Sequence, residues 1–281
     1  MFVHGVVNNQ NKHGFMLCLF IQFLLIISST ETQALEYSVI PHLNYFYYQE
    51  FDENSDELLN EVGPLYGLEL TLEGTLDGMK GGQIHSGLEV SYLAGEVDYY
   101  GRTQAGNNFD TKTQQKIIQY GANVGYRYPI TEVAKNTLSI QPDLKVLAYH
   151  WRRSIQGKQQ ISGLVEDYNG FILQPSFILN YSDYTFQLGL TRTLNNSMTI
   201  QPSSCIDRIT VKPKSENSWF TQGEYRVIQN ELYSASIRAS YKSYKMNASD
   251  IETGNTCFGP VGWHEPENSI QLWQLGMVFT F

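Results

Sequence analysis

Apolar and polar side chains alternate with a period of two along most of the chain, which is typical of β-strands with two different faces. The clearest example is residues 232–242, where Tyr, Ala and Ile alternate with Ser, Arg and Lys. Ten segments show this alternation, some strongly and some weakly: residues 37–50, 62–73, 84–95, 117–128, 138–151, 171–181, 184–191, 219–228, 232–242 and 270–281. The pattern predicts an all-β fold of about ten antiparallel strands.

A soluble β-sandwich would alternate in the same way, so the composition of the two faces has to separate the alternatives. In most segments the apolar face carries aromatic residues near its ends, whereas charged residues share the opposite face. This favours a single antiparallel transmembrane β-barrel, apolar toward lipid and polar toward its lumen. The predicted lumen charge network is Glu61, Glu69, Glu73, Glu89, Arg127, Asp143, Lys145, Glu224, Arg226, Arg238 and Lys242. Because isolated charges are costly inside a narrow barrel, we expect them to pair across it and plug it.

The connections between the segments alternate between short and long. The short ones are predicted at residues 77–82, 131–136, 182–183 and 229–230, and the long polar ones at 52–60, 101–114, 154–169, 194–217 and 246–268. Transmembrane barrels have short turns on one side of the membrane and long loops on the other. We therefore expect the five long connections to share one surface.

The beginning of the chain has the order of a secretory leader. Residues 13–28 form a long apolar run that follows Lys12 and precedes a small-residue ending at Ala34. This order predicts a signal peptide over residues 1–34, and an anchoring helix would need about 20 apolar residues, more than the run offers. Residues 35–281 are then long enough for one barrel domain.

Two cysteines follow the predicted leader, Cys205 and Cys257. They fall in the long connections 194–217 and 246–268, which we expect on the same surface. In an exported chain an even pair favours one disulfide, and two free thiols are the alternative. On chain-entropy grounds such a bond would contribute about 4 kcal/mol to stability.

The last strand carries a recognisable ending. Apolar residues occupy alternate positions up to a terminal phenylalanine: Trp273, Leu275, Met277, Phe279 and Phe281. This ending resembles the C-terminal strand of Gram-negative outer-membrane β-barrel proteins. The resemblance implies an outer-membrane location with both termini periplasmic. It also implies contact with membrane lipid and lipopolysaccharide, and recognition of this strand, as an assembly signal, by the barrel-assembly machinery.

Catalytic arrangements found in such barrels are weakly represented. Asp98, His150 and Asp167 lie roughly where omptin-like proteases place acidic and Asp/His pairs, but the alternation turns Asp98 and His150 away from the lumen. A lipid hydrolase needs His and Ser two positions apart on one strand face, and His85 and Ser86 are adjacent, so they point to opposite sides. No catalytic residue is assigned.

The acidic balance and the histidines limit the partners. The formal net charge is −9, which argues against nucleic acid. Neither His42 nor His85 has a metal-ligand spacing on its own strand. We therefore predict neither a metal nor a cofactor.

The sequence favours a non-enzymatic surface platform, with a charge-plugged narrow lumen and loops used for adhesion, partner binding or envelope integrity. The loops around Cys205 and Cys257 would carry this function, and Trp263 and His264 would form a binding tip or pack over the barrel mouth. A narrow pore for ions or small solutes is the first alternative. An omptin-like protease or a lipid hydrolase is the second.

Overall fold

The computed structural model describes residues 34–102, 108–133, 136–158, 162–201, 206–257 and 259–281. The ten wall strands are β1 (Ala34–Phe51), β2 (Glu57–Asp77), β3 (Gln83–Arg102), β4 (Asn108–Val133), β5 (Asn136–Ile155), β6 (Leu164–Tyr181), β7 (Tyr184–Ile200), β10 (Asn217–Gln229), β11 (Ser234–Asn247) and β14 (Glu267–Thr280). Four short strands accompany them: β8 (Ile209–Val211), β9 (Lys214–Ser215), β12 (Glu252–Thr256) and β13 (Gly259–Trp263). Within these ranges no helix is long and apolar enough to cross a bilayer.

Each wall strand pairs antiparallel with its neighbours, and β14 pairs with β1, so the sheet closes into a ten-stranded barrel. This confirms the predicted fold class. Short turns and both ends of the described chain lie at one end of the barrel, the turn end. The connections after β1, β3, β5, β7 and β11 lie at the other, the loop end. The predicted leader falls outside the described residues except for Ala34, so it stays a prediction.

The strands run further toward the loop end than the alternation predicts. Residues 57–60, 108–114 and 164–169 were expected in long connections, but they belong to β2, β4 and β6. The wider connections 194–217 and 246–268 contain short strands, of which β12 and β13 form a separate hairpin. The barrel wall is therefore taller than the predicted strands.

Outward-facing aromatic residues form two rings around the wall. The turn-end girdle contains Tyr37, Tyr128, Tyr184, Tyr225, Tyr233 and Phe281, and the loop-end girdle contains Tyr45, Tyr66, Tyr92, Tyr120, Trp219, Tyr241 and Trp273. Rings touch within each girdle: Tyr37 and Phe281 have centroids 5.1 Å apart, and Tyr241 and Trp273 have centroids 5.3 Å apart.

The spacing of the girdles matches a membrane. Along β1, β4, β11 and β14 the two girdle residues are eight positions apart, as with Tyr37 and Tyr45, if Tyr233 just before β11 and Phe281 just after β14 are included. Eight residues cover about 27 Å along a strand, or about 20 Å along the axis of a barrel whose strands tilt by about 40°. The exposed side chains between the girdles are largely apolar, including Leu43, Leu68 and Val146. The wall between the girdles is thus the segment suited to lipid.

The polarity of the two faces is reversed beyond the loop-end girdle. Along β5 the inward residues change from polar to apolar in the order Ser139, Gln141, Asp143, Lys145, Leu147, Tyr149 and Trp151. The outward residues change the opposite way in the order Ile140, Leu144, Val146, His150, Arg152 and Ser154. Lipid requires an apolar exterior, whereas a wall in water requires a polar exterior and an apolar core. The loop half of the barrel is therefore built like a soluble β-barrel.

An apolar core fills this loop half. Phe46, Tyr48, Leu65, Trp151 and Tyr168 have at most 1% of their surface exposed. The Trp151 and Tyr168 rings stack with centroids 4.3 Å apart. A residual cavity of about 30 Å³ beside Trp151 has room for one or two water molecules. Apolar and aromatic side chains therefore fill much of the lumen in this half.

Candidate functional site

A buried arginine closes the barrel near the loop end. Arg153, on β5, is 1% exposed and is surrounded by carboxylates from three other strands. Its Nε donates to Glu61 Oε1 at 2.9 Å, and its Nη1 donates to Glu50 Oε1 and Glu166 Oε2, both at 2.8 Å. A guanidinium offers five donors in a fixed fork, which suits simultaneous contact with several carboxylates. We call these four residues, together with Glu265, the Arg153 cluster.

Glu265 enters the cluster from the connection between β13 and β14. Its Oε1 accepts hydrogen bonds from Tyr168 Oη at 2.8 Å and from Tyr48 Oη at 3.3 Å. Burial first, and then the nearby carboxylates of Glu50 and Glu166, raise the pKa of Glu265 well above its usual value. Four carboxyl groups face one guanidinium, so a protonated Glu265 relieves their mutual repulsion.

Neighbouring polar residues hold the cluster in place. Glu61 accepts from Thr113 Oγ1 at 2.8 Å and from Gln115 Nε2 at 2.5 Å. Gln115 in turn accepts from Trp151 Nε1 at 2.6 Å, which ties the cluster to the apolar core below it. Each of these groups is buried, so the cost of leaving any of them without a partner favours this one arrangement.

The predicted lumen charges lie mainly in the membrane half of the barrel, which is the part between the two girdles. This half is on the turn-end side of the Arg153 cluster, which seals the lumen. Arg238 bridges Glu69 and Glu224 at 3.0 Å each, and Lys145 Nζ lies 2.5 Å from Glu89 Oε2. The Arg238–Glu69 pair runs from β11 to β2 and the Lys145–Glu89 pair from β5 to β3, whereas Glu224 lies on β10, the strand next to β11.

Other members of the predicted network have neutral partners. Asp143 accepts from Asn123 Nδ2 at 3.2 Å, and Arg127 Nε donates to Gln141 Oε1 at 3.3 Å. Lys242 lies half-buried on the inward face of β11. This part of the lumen is a polar interior rather than a string of ion pairs.

Toward the turn end the lumen opens. Glu73 has an exposed side chain on the inward face of β2, and Arg226 lies at the rim, where its Nε is 3.3 Å from Asp183 Oδ1. A polar cavity of about 330 Å³ opens here, with Glu36 and Ser236 in its lining. The lumen is therefore open at the turn end and closed at the loop end.

The candidate protease residues lie on the outside of the wall. His150 Nε2 is 3.8 Å from Asp167 Oδ1, but that carboxylate is engaged by Arg152, whose Nε and Nη2 lie 2.7 and 2.9 Å from its two oxygens. Asp98 is in register with Lys112, whereas His150 is in register with Ile118, six residues or about 20 Å further along β4. The three residues are not brought together.

The two lumen histidines contact neutral groups. His42 Nδ1 lies 2.6 Å from Asn44 Nδ2, and His85 Nδ1 lies 3.3 Å from Thr75 Oγ1. The His42 ring fits only because Gly67 opposite has no side chain, since a Cβ there would lie 2.1 Å from His42 Cε1. Over the described part of the chain, no group of three or more His, Cys, Asp or Glu residues could hold a metal ion.

The loop-end connections cover the barrel mouth. Trp263 is partly buried against the apolar core and His264 beside it is exposed, so Trp263 packs over the mouth and does not project as a tip. Cys205 lies outside the described residues, so its predicted bond to Cys257 stays a prediction. The adjacent residues Ile206 and Thr256 form an antiparallel β-bridge, which brings the two connections together.

Glu166 and Glu265 were missed in the sequence analysis because both fell in predicted connections. The signal for Glu166 was present in the sequence. Extension of the period-two pattern of β6 through Tyr168 would have put Tyr168 and Glu166 on the same face. No local pattern identifies Glu265, because its position depends on contacts with Tyr48, 217 residues earlier.

The chain is similar in structure to several outer-membrane proteins. The outer-membrane protease OmpT from Escherichia coli matches with a TM-score of 0.55 and 9% identity over 89% of this chain and 98% of that one. The transport unit of the autotransporter AIDA-I from Escherichia coli matches with a TM-score of 0.43 and 10% identity over 88% and 90% of the two chains. The translocator domain of NalP from Neisseria meningitidis matches with 0.42 and 8% over 96% and 97%.

No protein-family model matches the chain, and no curated protein matches it either. The likeness to OmpT shows the fold, which is that of a Gram-negative outer-membrane β-barrel. At this low identity it does not transfer an activity.

Proposed function

We propose that this chain is a closed surface platform of the outer membrane. The segment between the girdles anchors it in lipid, and the loop half stands above the membrane as a rigid, filled cylinder that presents the loop-end connections. The single observation that carries the proposal is the seal made by the Arg153 cluster and the apolar core. A structure filled in this way supports a surface better than it conducts a solute.

The energy of the seal supports a permanent closure. Arg153 and Glu61 are both buried, and loss of one partner from a buried ion pair costs about 3–5 kcal/mol. Rings such as those of Trp151 and Tyr168 are held by stacking and by burial of large apolar areas. A channel would need to disrupt both the Arg153 cluster and the apolar core at each opening.

The proposal places the loop end outside the cell and both termini in the periplasm. Long connections belong to the extracellular side of such barrels. The loop half has a polar outer face several residues tall, and this face has to be surrounded by water. An extracellular position supplies that water.

The β12–β13 hairpin is the best candidate for partner contact. It forms a two-stranded sheet of its own, and Ile251 beside it and Val261 within it are 72% and 38% exposed. Exposed apolar side chains on a braced loop are suited to adhesion or to binding of a protein partner.

Two measurements test the proposal. An epitope inserted in the turn after β1, near Asn54, should be bound by antibody on intact cells, whereas one inserted near Gly81 at the turn end should need permeabilised cells. Purified protein should be electrically silent in planar bilayers. Discrete channel openings of the wild-type protein would favour the narrow pore instead, and the reverse labelling result would contradict the orientation.

A further inference from the structure

The β12–β13 hairpin is held at its base by one pair of residues. Ser249 precedes the hairpin and Glu265 follows it, and both residues are buried. The backbone N–H of Ser249 donates to the backbone carbonyl oxygen of Glu265 at 2.9 Å, and the backbone N–H of Glu265 donates to Ser249 Oγ, also at 2.9 Å. We call this pair the base clamp.

The carboxyl group of Glu265 attaches the base clamp to the barrel. Its Oε1 accepts hydrogen bonds from Tyr168 Oη at 2.8 Å and from Tyr48 Oη at 3.3 Å, on β6 and β1. It also accepts from Asn268 Nδ2 at 2.8 Å, on β14. One buried oxygen therefore joins the hairpin to three wall strands.

Other contacts of the hairpin region hold it less firmly. Asp250 pairs with Lys214 at 2.8 Å, but both side chains are largely exposed, so this pair contributes little. The far end of the hairpin is bridged at Thr256 to Ile206, which lies in a connection and not in a wall strand. Trp263 packs against the apolar core and would have to leave it if the hairpin moved. The buried polar attachment is thus that of Glu265.

Glu265 differs from the other carboxylates of the Arg153 cluster in its backbone. Glu50, Glu61 and Glu166 lie on β1, β2 and β6, and each of these strands is paired on both sides at that position. Glu265 lies in the connection between β13 and β14. If repulsion within the cluster increases, Glu265 can move away while every wall strand stays paired.

The proton on Glu265 controls that repulsion. Burial and the carboxylates of Glu50 and Glu166 hold the pKa of Glu265 well above its usual value, so the buried group is protonated where an exposed glutamate is ionised. Between the exposed and the buried pKa, each rise of one pH unit favours an exposed Glu265 by up to about tenfold. A rise in pH therefore favours release of the base clamp.

The remaining groups that face Glu265 do not reverse this direction. Burial also raises the pKa values of Glu61 and Glu166, and their ionisation adds further negative charge as pH rises. Tyr48 and Tyr168 keep their protons to higher pH, because burial raises their pKa values well above the usual range. Arg153 stays charged throughout, so one cation faces a growing number of carboxylates.

We propose that Glu265 is a pH-dependent latch, which holds the base clamp on the barrel mouth while its carboxyl group is protonated and releases it when the group ionises. Release exposes the base clamp and frees the hairpin, while the ten wall strands stay paired. The latch deepens the proposed function and rests on it, because it regulates the hairpin assigned there to partner contact. The hairpin is presented in one fixed arrangement at mildly acidic pH and moves more freely as pH rises.

Hydrogen exchange followed by mass spectrometry tests the latch, because it reports local opening of a folded protein. The detergent-purified full chain is measured at pH 6, 7 and 8, with correction for the effect of pH on unstructured peptides. The amides of Ser249 and Glu265 should lose at least about tenfold in protection from pH 6 to pH 8. Residues 138–151 on β5 should keep theirs within about twofold, since the wall does not open.

Two variants identify the group that titrates. Glu265→Gln keeps an acceptor oxygen for the tyrosine hydroxyls and cannot ionise, so its base clamp should be equally protected at all three pH values. Glu252→Gln is the matched control, because it removes an exposed carboxylate from the hairpin itself and should keep the pH dependence of the wild type. Ser249→Ala removes the acceptor from the base clamp and should lower protection at every pH without changing the pH dependence.

Several outcomes would overturn the proposal. Constant protection of the base clamp from pH 6 to pH 8 in the wild type would do so, and this measurement needs no variant. A loss that persists in Glu265→Gln would show that another group titrates, and an equal loss along β5 would show global unfolding. These results are independent of the cell-labelling and bilayer measurements, so failure of the latch and failure of the proposed function can be distinguished.

Discussion

The Nε of Arg153 donates to the carboxylate of Glu61 at 2.9 Å, although the two residues are 92 positions apart and both are fully buried. The contact joins β5 to β2 across the inside of the barrel, above the segment suited to lipid. The loop end is therefore closed by contacts between wall strands and not by a single loop.

Replacement of Arg153 should destabilise the barrel strongly. Arg153→Met leaves Glu50, Glu61 and Glu166 without their shared cation, so the free energy of unfolding should fall by about 3–5 kcal/mol. Urea unfolding in detergent, followed by the gel shift between folded and boiled protein, measures this. Arg152→Met is the control at the next residue, because the Arg152 side chain is 46% exposed and Asp167 keeps its hydrogen bond from Gln201, so the loss should be smaller, about 1 kcal/mol. Equal losses of stability in the two variants would show that Arg153 stabilises the barrel no more than Arg152 does.

Removal of the Glu265 carboxyl should separate its hydrogen bonds from its charge. Glu265→Ala leaves the hydroxyl groups of Tyr48 and Tyr168 without this acceptor and should cost about 1–3 kcal/mol. Glu265→Gln keeps an acceptor oxygen and removes the ionisable group, so it should be neutral or stabilising at pH 8. Urea midpoints of the two variants measure the difference, and an equally unstable Glu265→Gln would contradict the protonated role.

The same residue predicts a dependence on pH. Because the pKa of Glu265 is raised in the folded state, its proton is held more tightly there than in the unfolded chain. Its contribution to stability is complete below the unfolded pKa and is lost as pH rises through the folded pKa. The advantage of Glu265→Gln over the wild type should therefore grow from pH 5 to pH 8. An advantage that shrinks over this range would show that the carboxylate is the stabilising form.

A disulfide between Cys205 and Cys257 should be detectable by peptide chemistry. The bridge between Ile206 and Thr256 already aligns the adjacent residues. Peptide mass spectrometry of non-reduced mature protein should find the two cysteines linked, and Cys257→Ser should lower stability by up to about 4 kcal/mol. Complete alkylation of both thiols without a reductant would exclude the bond.

Gly67 should tolerate a side chain only if His42 is made smaller. A Cβ at position 67 would lie 2.1 Å from His42 Cε1, so Gly67→Ala should cost about 1–3 kcal/mol through overpacking. His42→Ala in the same chain should recover most of that loss. Gly223→Ala is the control, since a Cβ there meets nothing within 4 Å. A Gly67→Ala variant as stable as this control would contradict the described packing.

The sequence predicts the membrane half of this molecule well and the loop half poorly. Between the girdles, period-two alternation has one meaning, and the side chains of Glu69, Lys145 and Arg238, which share the polar face of their strands, lie in the lumen. Beyond the loop-end girdle the two faces exchange their polarity. A charged residue such as Arg152 then points outward, and an aromatic residue such as Trp151 points inward.

A prediction that assigns one polarity to each face of a strand must therefore end the strand at the loop-end girdle, where the two faces exchange their polarity. For that reason residues 164–169 on β6, including Glu166, were placed in a connection. The Arg153 cluster draws on four strands and one connection, and period-two patterns carry no information about which distant strands converge. Its partners could be found only from the closed barrel.

The exchange of polarity at the loop-end girdle also determines how the molecule responds to force. Displacement of the barrel toward its turn end would drag Arg152 among acyl chains, at a cost of up to about 2–4 kcal/mol for a charged side chain at the bilayer centre. Displacement toward the loop end would expose Leu43 and its neighbours to water. Both displacements are unfavourable all around the barrel. A force applied to the β12–β13 hairpin is therefore transmitted to the bilayer and does not shift the barrel within it.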